Sequence, residues 1–301
     1  MDPEFPSTQN TSEPASSANK TNFVMGAALL GMILLVGIVI AVLNMNSNKQ
    51  TDPNISGNNT IPTEKVSETL VDQIKTEKGM WEFNGEKWSA NGIPPECPNP
   101  LTIESPVDLL NVAGILYPGQ TRNAYKPHGG FIFEGITNEE VTVTAPMDAQ
   151  LVSGSRYIEQ GEVQYLLFFV NPCGIAYRFD HLLTLSKEMQ LIANTLPEPK
   201  IDDSRTTRLI SPVPIKTGDI IATAVGFKNN QNVSVDFGVY DLRNQNESAA
   251  NPEFAAAHIT EKEQAYYGVC WLDWLSAEQS SEAKKLPGGD SFAGKTSDYC
   301  K

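Results

Sequence analysis

From residue 101 to residue 243 no stretch of this 301-residue chain has both the length and the 3.6-residue apolar period of a long amphipathic helix. Short β-type runs take its place: Val141–Ala145, Ala149–Ile158, Val163–Val170, Ile175–Leu185, Asp219–Val225 and Val233–Leu242. Several alternate apolar and polar residues, as strands with one wet face do. The pattern predicts a mostly β domain over 101–243, an antiparallel sheet sandwich or hybrid barrel. Residues 187–215 carry charges and prolines that break the rhythm and read as a loop or insertion over one face. The lead-in 64–100 is expected to hold a short helix over 64–77 and a hairpin at Trp81-Glu-Phe83-Asn84-Gly85-Glu-Lys-Trp88. There Asn-Gly suits the two positive-φ positions of a type I′ turn. Residues 244–301 read as a C-terminal extension packed on the β domain. Pro252–Ala265 has helical character, and Trp271 and Trp274 serve as packing residues.

A second feature sets topology. Phe23 to Leu43 contains no charge and no proline, and as a helix it spans roughly 31 Å, enough for the hydrocarbon core of a bilayer. A cleaved signal peptide has a short basic head and an apolar run of about 7–15 residues. This head is long, polar and carries one lysine, Lys20, so a retained single-pass helix over 23–43 is expected. Residues 1–22 and 44–63, poor in apolar side chains, read as a disordered tail and a flexible linker. Lys20 and Lys49 flank the run about equally, so the positive-inside rule does not orient it. Cys97, Cys173, Cys270 and Cys300 all follow it, which suits an oxidising exterior. The N-terminus is therefore expected in the cytoplasm and the C-terminal domain outside. Of the three possible pairings, Cys270–Cys300 would staple the C-terminal segment and leave Cys97 with Cys173. The small-residue spacings Ala27-x-x-x-Gly31 and Gly37-x-x-x-Ala41 would permit a homodimer through the span. A net charge of −14 argues against nucleic-acid partners.

The chemistry-bearing residues lie in three strand-like segments: Tyr125-Lys-Pro-His128-Gly-Gly130, Phe179-Asp-His181-Leu182 and Ser234-Val-Asp236-Phe237. Each has an ordinary structural reading. His128 would shape a turn, His181 would pair with Asp180 or sit in the core, and Asp236 would be a solvent-facing strand carboxylate. Asp241 and Arg243 read as a stabilising pair, and His258 is given no role. No Gly-x-Ser-x-Gly elbow, phosphate-binding glycine loop, Cys-x-x-Cys pair or carrier-type Met-Lys pair is present.

In order and spacing, residues 117–243 resemble the lysostaphin/LytM-type zinc endopeptidases that cut peptide cross-bridges of bacterial cell walls. The resemblance is carried by His128-Gly-Gly130-Phe-Ile132, Ala145-Pro-Met-Asp-Ala-Gln-Leu-Val152, Phe179-Asp-His181-Leu182, Gly218-Asp-Ile-Ile221 and Ser234-Val-Asp236. It implies a metal-ligand role for His128 and a catalytic role for His181. It also marks departures: Ile132 stands where the family has an aspartate ligand, Ser234 where it has a second catalytic histidine, and Asp236 where it has a third ligand. Residues two apart on a strand share a face, so Glu134 would complete a His128–Glu134–Asp236 set beside His181, eased by a bulge at Gly129-Gly130. Such an oxygen-rich site suits calcium, manganese or a loosely held zinc.

Three functions follow from the resemblance. The first is a membrane-anchored cell-envelope protein whose degenerate peptidase-like domain binds peptidoglycan-like peptide or an envelope protein through His128, Glu134, Ser234 and Asp236, with no cofactor. The second is a metal-dependent cell-wall hydrolase with a substituted site. The third is a structural domain of a surface assembly.

Overall fold

The computed structural model describes residues 80–301. The expected tail 1–22, span 23–43, linker 44–63 and helix 64–77 lie outside the described residues. Among those described, no helix is long and apolar enough to cross a membrane.

The chain opens with a hairpin of β1 (Trp81–Phe83) and β2 (Trp88–Ala90). Gly85 has φ +92°, whereas Asn84 is not in the left-handed region, so the turn is not type I′. Instead, the Asn84 side chain accepts from the backbone N–H groups of Glu86 and Lys87 and closes a four-residue loop. The Phe83 and Trp88 rings meet across the strands at 5.5 Å.

The β block contains β3 (Val112–Leu116), β4 (Gln120–Arg122), β5 (Ala124–Lys126), β6 (Gly129–Phe133), β7 (Val143–Thr144), β8 (Ala149–Glu159), β9 (Glu162–Asn171) and β10 (Ile175–Leu185). It continues with β11 (Lys200–Ile201), β12 (Thr207–Ile215), β13 (Ile220–Val225) and β14 (Val233–Asp241). Strands β4 and β5 form a separate ribbon, while ten strands share one large sheet with the path β11-β8-β9-β10-β14-β6-β3. Strand β12 pairs with β8, and β13 pairs with β7 and the end of β10. All pairings are antiparallel except β11 on β8. Each of the six runs singled out in the sequence matches a strand, contains one or lies within one. Residues 187–215, expected to be a loop, instead supply the helix Lys187–Ala193 and the nine-residue strand β12. Ser186 caps that helix by accepting from Met189 N–H. The prolines Pro212 and Pro214 are tolerated because β12 closes the margin of β8.

The sheet has no wet face at its centre. In β10 and β14 nearly every residue is buried, because both faces are covered. Odd-numbered Tyr177, Phe179, Val235, Phe237 and Val239 enter the main core with Phe131, Phe169 and Trp271. Even-numbered Ala176 and Tyr240 meet a second cluster with Tyr266, Tyr267 and the hairpin aromatics. The C-terminal extension serves both sides. Asp241 N–H donates to Tyr267 O and Val269 N–H to Val239 O, so this segment takes the edge of β14 beyond its pairing with β6. Trp271 then packs between Phe131 and Phe237, with ring centroids 5.0 and 5.2 Å away. The expected helical stretch Pro252–Ala265 is two short helices, Pro252–Ala257 and Lys262–Ala265, separated at His258. Cys97 is bonded to Cys173 and Cys270 to Cys300, the pairing that staples the C-terminal segment.

Trp271 is fully buried, so Trp271→Ala should cost about 3–5 kcal/mol. Urea unfolding should show this as a lower midpoint, while Phe292→Ala, at a residue 99% exposed, should leave the midpoint unchanged.

Candidate functional site

The polar residues of interest gather on the even-numbered face because of strand register. Asp180 on β10 pairs with Asp236 on β14, and Asp236 pairs with Gly130 on β6. The two glycines nearby make room for their neighbours. A Cβ on Gly130 would lie 2.4 Å from Val235 O and 3.3 Å from Asp236 Oδ1; one on Gly238 would lie 2.8 Å from His128 Cβ. His128 thus settles over Gly238 with its Nε2 2.9 Å from Asp236 Oδ2. That approach is close but off the ring's N–H direction, and neither ring nitrogen makes a directed hydrogen bond.

A bulge sets the other half of the site. The pairing of β10 with β9 slips between Phe179 and Leu182, and His181 sits there at φ +58°. A non-glycine residue rarely takes this conformation, although histidine tolerates it better than most. The expected bulge at Gly129-Gly130 does not form, since β6 and β14 stay in register through both glycines. The turned backbone brings His181 Nε2 to 3.7 Å from Asp236 Oδ2 and Nδ1 to 3.9 Å from Glu159 Oε2. Its ring also rests on Phe227, centroids 4.9 Å apart.

Asp180 does not pair with the His181 ring. Its Oδ2 accepts from Arg178 Nη2 at 2.5 Å, and its Oδ1 accepts from Tyr157 Oη at 2.6 Å and from the His181 backbone N–H at 2.9 Å. Arg178 extends the network by donating from Nη1 to Gln264 Oε1 at 3.5 Å, and Tyr240 Oη donates to the same oxygen at 3.1 Å. Arg122 lies under the site, with Nη2 donating to His128 O.

Burial works against ionising Asp236, but His128, His181 and Arg178 hold its carboxyl well below the usual range. His128 moves the other way from a simple ion pair. Burial foremost, with the positive charges of Arg178 and Arg122, pushes the imidazole toward its neutral form against the pull of Asp236. The charge balance agrees: two guanidiniums already match the carboxylates of Asp180 and Asp236. Burial, Asp180 and the hydrogen bond between them push the Tyr157 hydroxyl far up, so it remains a donor.

Asp236 is therefore not the solvent-facing carboxylate of the ordinary reading. Ser234 is buried on the same strand face, opposite Ile132. Glu134 lies exposed beyond the end of β6 and is not one of the gathered groups. Asp241 and Arg243 form a bidentate pair at 2.7 and 2.8 Å, as expected. Arg178, Tyr157 and Gln264 were not singled out in the sequence. Alternation in Arg178-Phe179-Asp180 is a signal for the first; the others come from distant segments.

Asp180, His181 and Asp236 each offer one ligand atom within 4.8 Å of the others. This set does not fit the zinc centre that the resemblance implies. Asp180 already accepts three hydrogen bonds, one from a guanidinium. Ligands of a tetrahedral zinc, with bonds of about 2.0–2.2 Å, stand more than ~3.2 Å apart. His128 and Asp236 are in direct contact instead. What the arrangement offers is a fixed polar floor of mixed charge.

The fold and site define a mostly β domain with a charged cluster bordering a groove lined by His128, Arg178, Glu263 and Gln264. No protein-family model and no curated protein matches the chain. Among solved structures it is similar to a protein described as a glycyl-glycine endopeptidase lytM from Ruminococcus gnavus, with 14% identity and a TM-score of 0.24. That match covers 44% of this chain and 53% of the other, about half its length.

The His128 environment makes a pH prediction. A base whose folded pKa is depressed stabilises the fold fully only above the unfolded imidazole value, about 6.5; stability falls as pH drops below it. The loss should approach about 1.4 kcal/mol per pH unit at its steepest. Asp236 acts with the same sign at lower pH, its contribution being lost below about pH 3.9. Urea titrations from pH 8 to 5 should show the decline in the wild type and a flatter profile in His128→Asn.

Proposed function

We propose that this chain is a membrane-tethered protein of the cell envelope whose folded domain holds peptide in the groove and does not cut it. The observation that carries the reading is the buried Arg178–Asp180 pair at 2.5 Å inside the would-be catalytic cluster. A hydrolytic zinc needs three protein donors and one exchangeable water. Here a guanidinium engages Asp180, one carboxylate of the gathered set, Ile132 stands where the resemblance calls for an aspartate ligand, and Glu134 is not among the gathered groups. The same features suit a binding floor, where orientation of donors matters and an open metal position does not. The tether rests on the apolar run 23–43. An extracytoplasmic domain accords with two disulfides and no free cysteine among the described residues. The ligand class, peptidoglycan-like peptide or an envelope protein presenting such a segment, rests on the motif resemblance.

Elemental analysis of the purified protein, cleavage assays and pull-down on cell-wall sacculi test this reading together. Sub-stoichiometric metal, no turnover with added zinc, and sacculus binding that persists in His181→Ala are expected. Near-stoichiometric metal with turnover lost in His181→Ala would establish the hydrolase instead. Self-association without binding or cleavage would leave a structural domain.

A further inference from the structure

Beside the charged cluster, β5 and the Glu261–Gln264 segment enclose a cleft of about 190 Å³. Six of its lining residues carry polar side chains that bear on a ligand: Lys126, His128, Arg178, Glu261, Glu263 and Gln264. Two of these are more than nine-tenths buried and retain unpartnered polar atoms: His128 lacks a directed hydrogen bond at either ring nitrogen, and Arg178 lacks one at Nε. Buried donors left unmatched cost about 1–3 kcal/mol each, so their recurrence on one cleft marks a place where an acceptor belongs. Lys126 is partly buried and has no ion-pair partner among the described residues.

The cleft is not isolated. Arg178, Glu263 and Gln264 also line a larger cleft of about 460 Å³ that runs past Trp88 and Phe168 toward Ser153 and Thr206. The two clefts therefore make one groove with cationic and imidazole donors at one end. Glu263 stands along the wall shared by both clefts.

We propose that the Lys126–His128–Arg178 end of this groove binds the C-terminal carboxylate of a peptide, whose preceding residues lie toward Trp88 and Phe168. This rests on the peptide-binding reading above and adds chain polarity and chain-end selectivity to it. The carboxylate accepts from Arg178 Nε–H and His128 and faces the Lys126 ammonium. Charge-assisted hydrogen bonds to a pre-set guanidinium are the stronger kind and favour a planar, two-oxygen acceptor.

The test is calorimetric titration of the full chain with triglycine, with triglycine C-terminal amide and with N-acetylglutamate amide. Triglycine should bind at least tenfold tighter than its amide and than the side-chain carboxylate probe. Lys126→Ala, at a position outside the core, should weaken triglycine at least threefold, leaving the circular dichroism and unfolding midpoint unchanged. Arg178→Gln should abolish the acid–amide difference; if loss of the Asp180 pair unfolds it, the lysine variant decides. Equal binding of acid and amide, or no binding of either at millimolar concentration, overturns the proposal. Equal binding of N-acetylglutamate amide overturns the chain-end assignment. Sacculus pull-down separates the two levels: if it persists while acid and amide bind alike, only the carboxylate site falls.

Discussion

Asp236 is a carboxylate largely enclosed between two imidazoles, its side chain 15% exposed, and much of the local architecture serves to keep it charged there. An ionised carboxylate away from water is tolerable only with counter-charges and donors in contact. Here the counter-charge comes from Arg178 and Arg122, while the imidazoles of His128 at 2.9 Å and His181 at 3.7 Å line the carboxylate. The packing follows from that need. Gly130 and Gly238 leave no room for a side chain: a Cβ on Gly130 would meet the Val235 carbonyl, and one on Gly238 would meet Tyr240 Oη and His128 Cβ. The bulge in β10 turns His181 toward the carboxylate at the expense of an unfavourable φ. Strain of this kind persists where surrounding contacts over-determine the backbone. Phe227 against the ring and Gly226 N–H donating to His181 O supply such contacts.

The same charge balance supports the binding role proposed above. With Arg178 and Arg122 matching Asp180 and Asp236, a proton on His128 would be surplus charge in a dry place. The imidazole is left neutral with unmatched polar atoms, a state that favours an incoming hydrogen-bonding group over an incoming cation. Asp180, meanwhile, already accepts three hydrogen bonds, one of them from a guanidinium.

How much of this was legible in the sequence differs by level. Strand runs such as Ile175–Leu185 were readable because β-branched and aromatic residues sit between clear turn signals. The turn at Asn84-Gly85 was located correctly but misassigned, because Asn84 caps the loop with its side chain instead of taking positive φ. Strand β12 was hidden by Pro212 and Pro214, which propensity counts against a strand although a sheet margin accepts them. His128, His181 and Asp236 were found by spacing, and register alone brings them together. Glu134 was placed by alternation along β6, but β6 ends at Phe133 and alternation has no meaning past the strand. Arg178–Asp180 was overlooked because Asp180 was paired in sequence with its neighbour His181, while the side chain turns to the same-face residue two positions back. Gln264 carries no local mark, since its role comes from tertiary placement.

That placement has a consequence for recognition. The groove's walls come from segments far apart in sequence: the β1–β2 hairpin, strands β8 to β10, and the Glu261–Gln264 turn. They are tied directly, by Trp88 Nε1–H donating to Glu263 O and by Trp81 Nε1–H donating to Pro172 O. They are also tied covalently, since Cys97 joins the stretch after the hairpin to the β9–β10 turn and Cys270 anchors the C-terminal segment. A groove assembled this way loses little conformational freedom when a ligand enters, so more of the contact energy appears as affinity. On the proposed peptide-binding reading, selectivity would come from these fixed donors, whose only adequate partner is the right acceptor. On that reading a ligand lacking the acceptor would leave Arg178 Nε–H and the His128 ring buried without hydrogen-bond partners, which is the stronger half of discrimination.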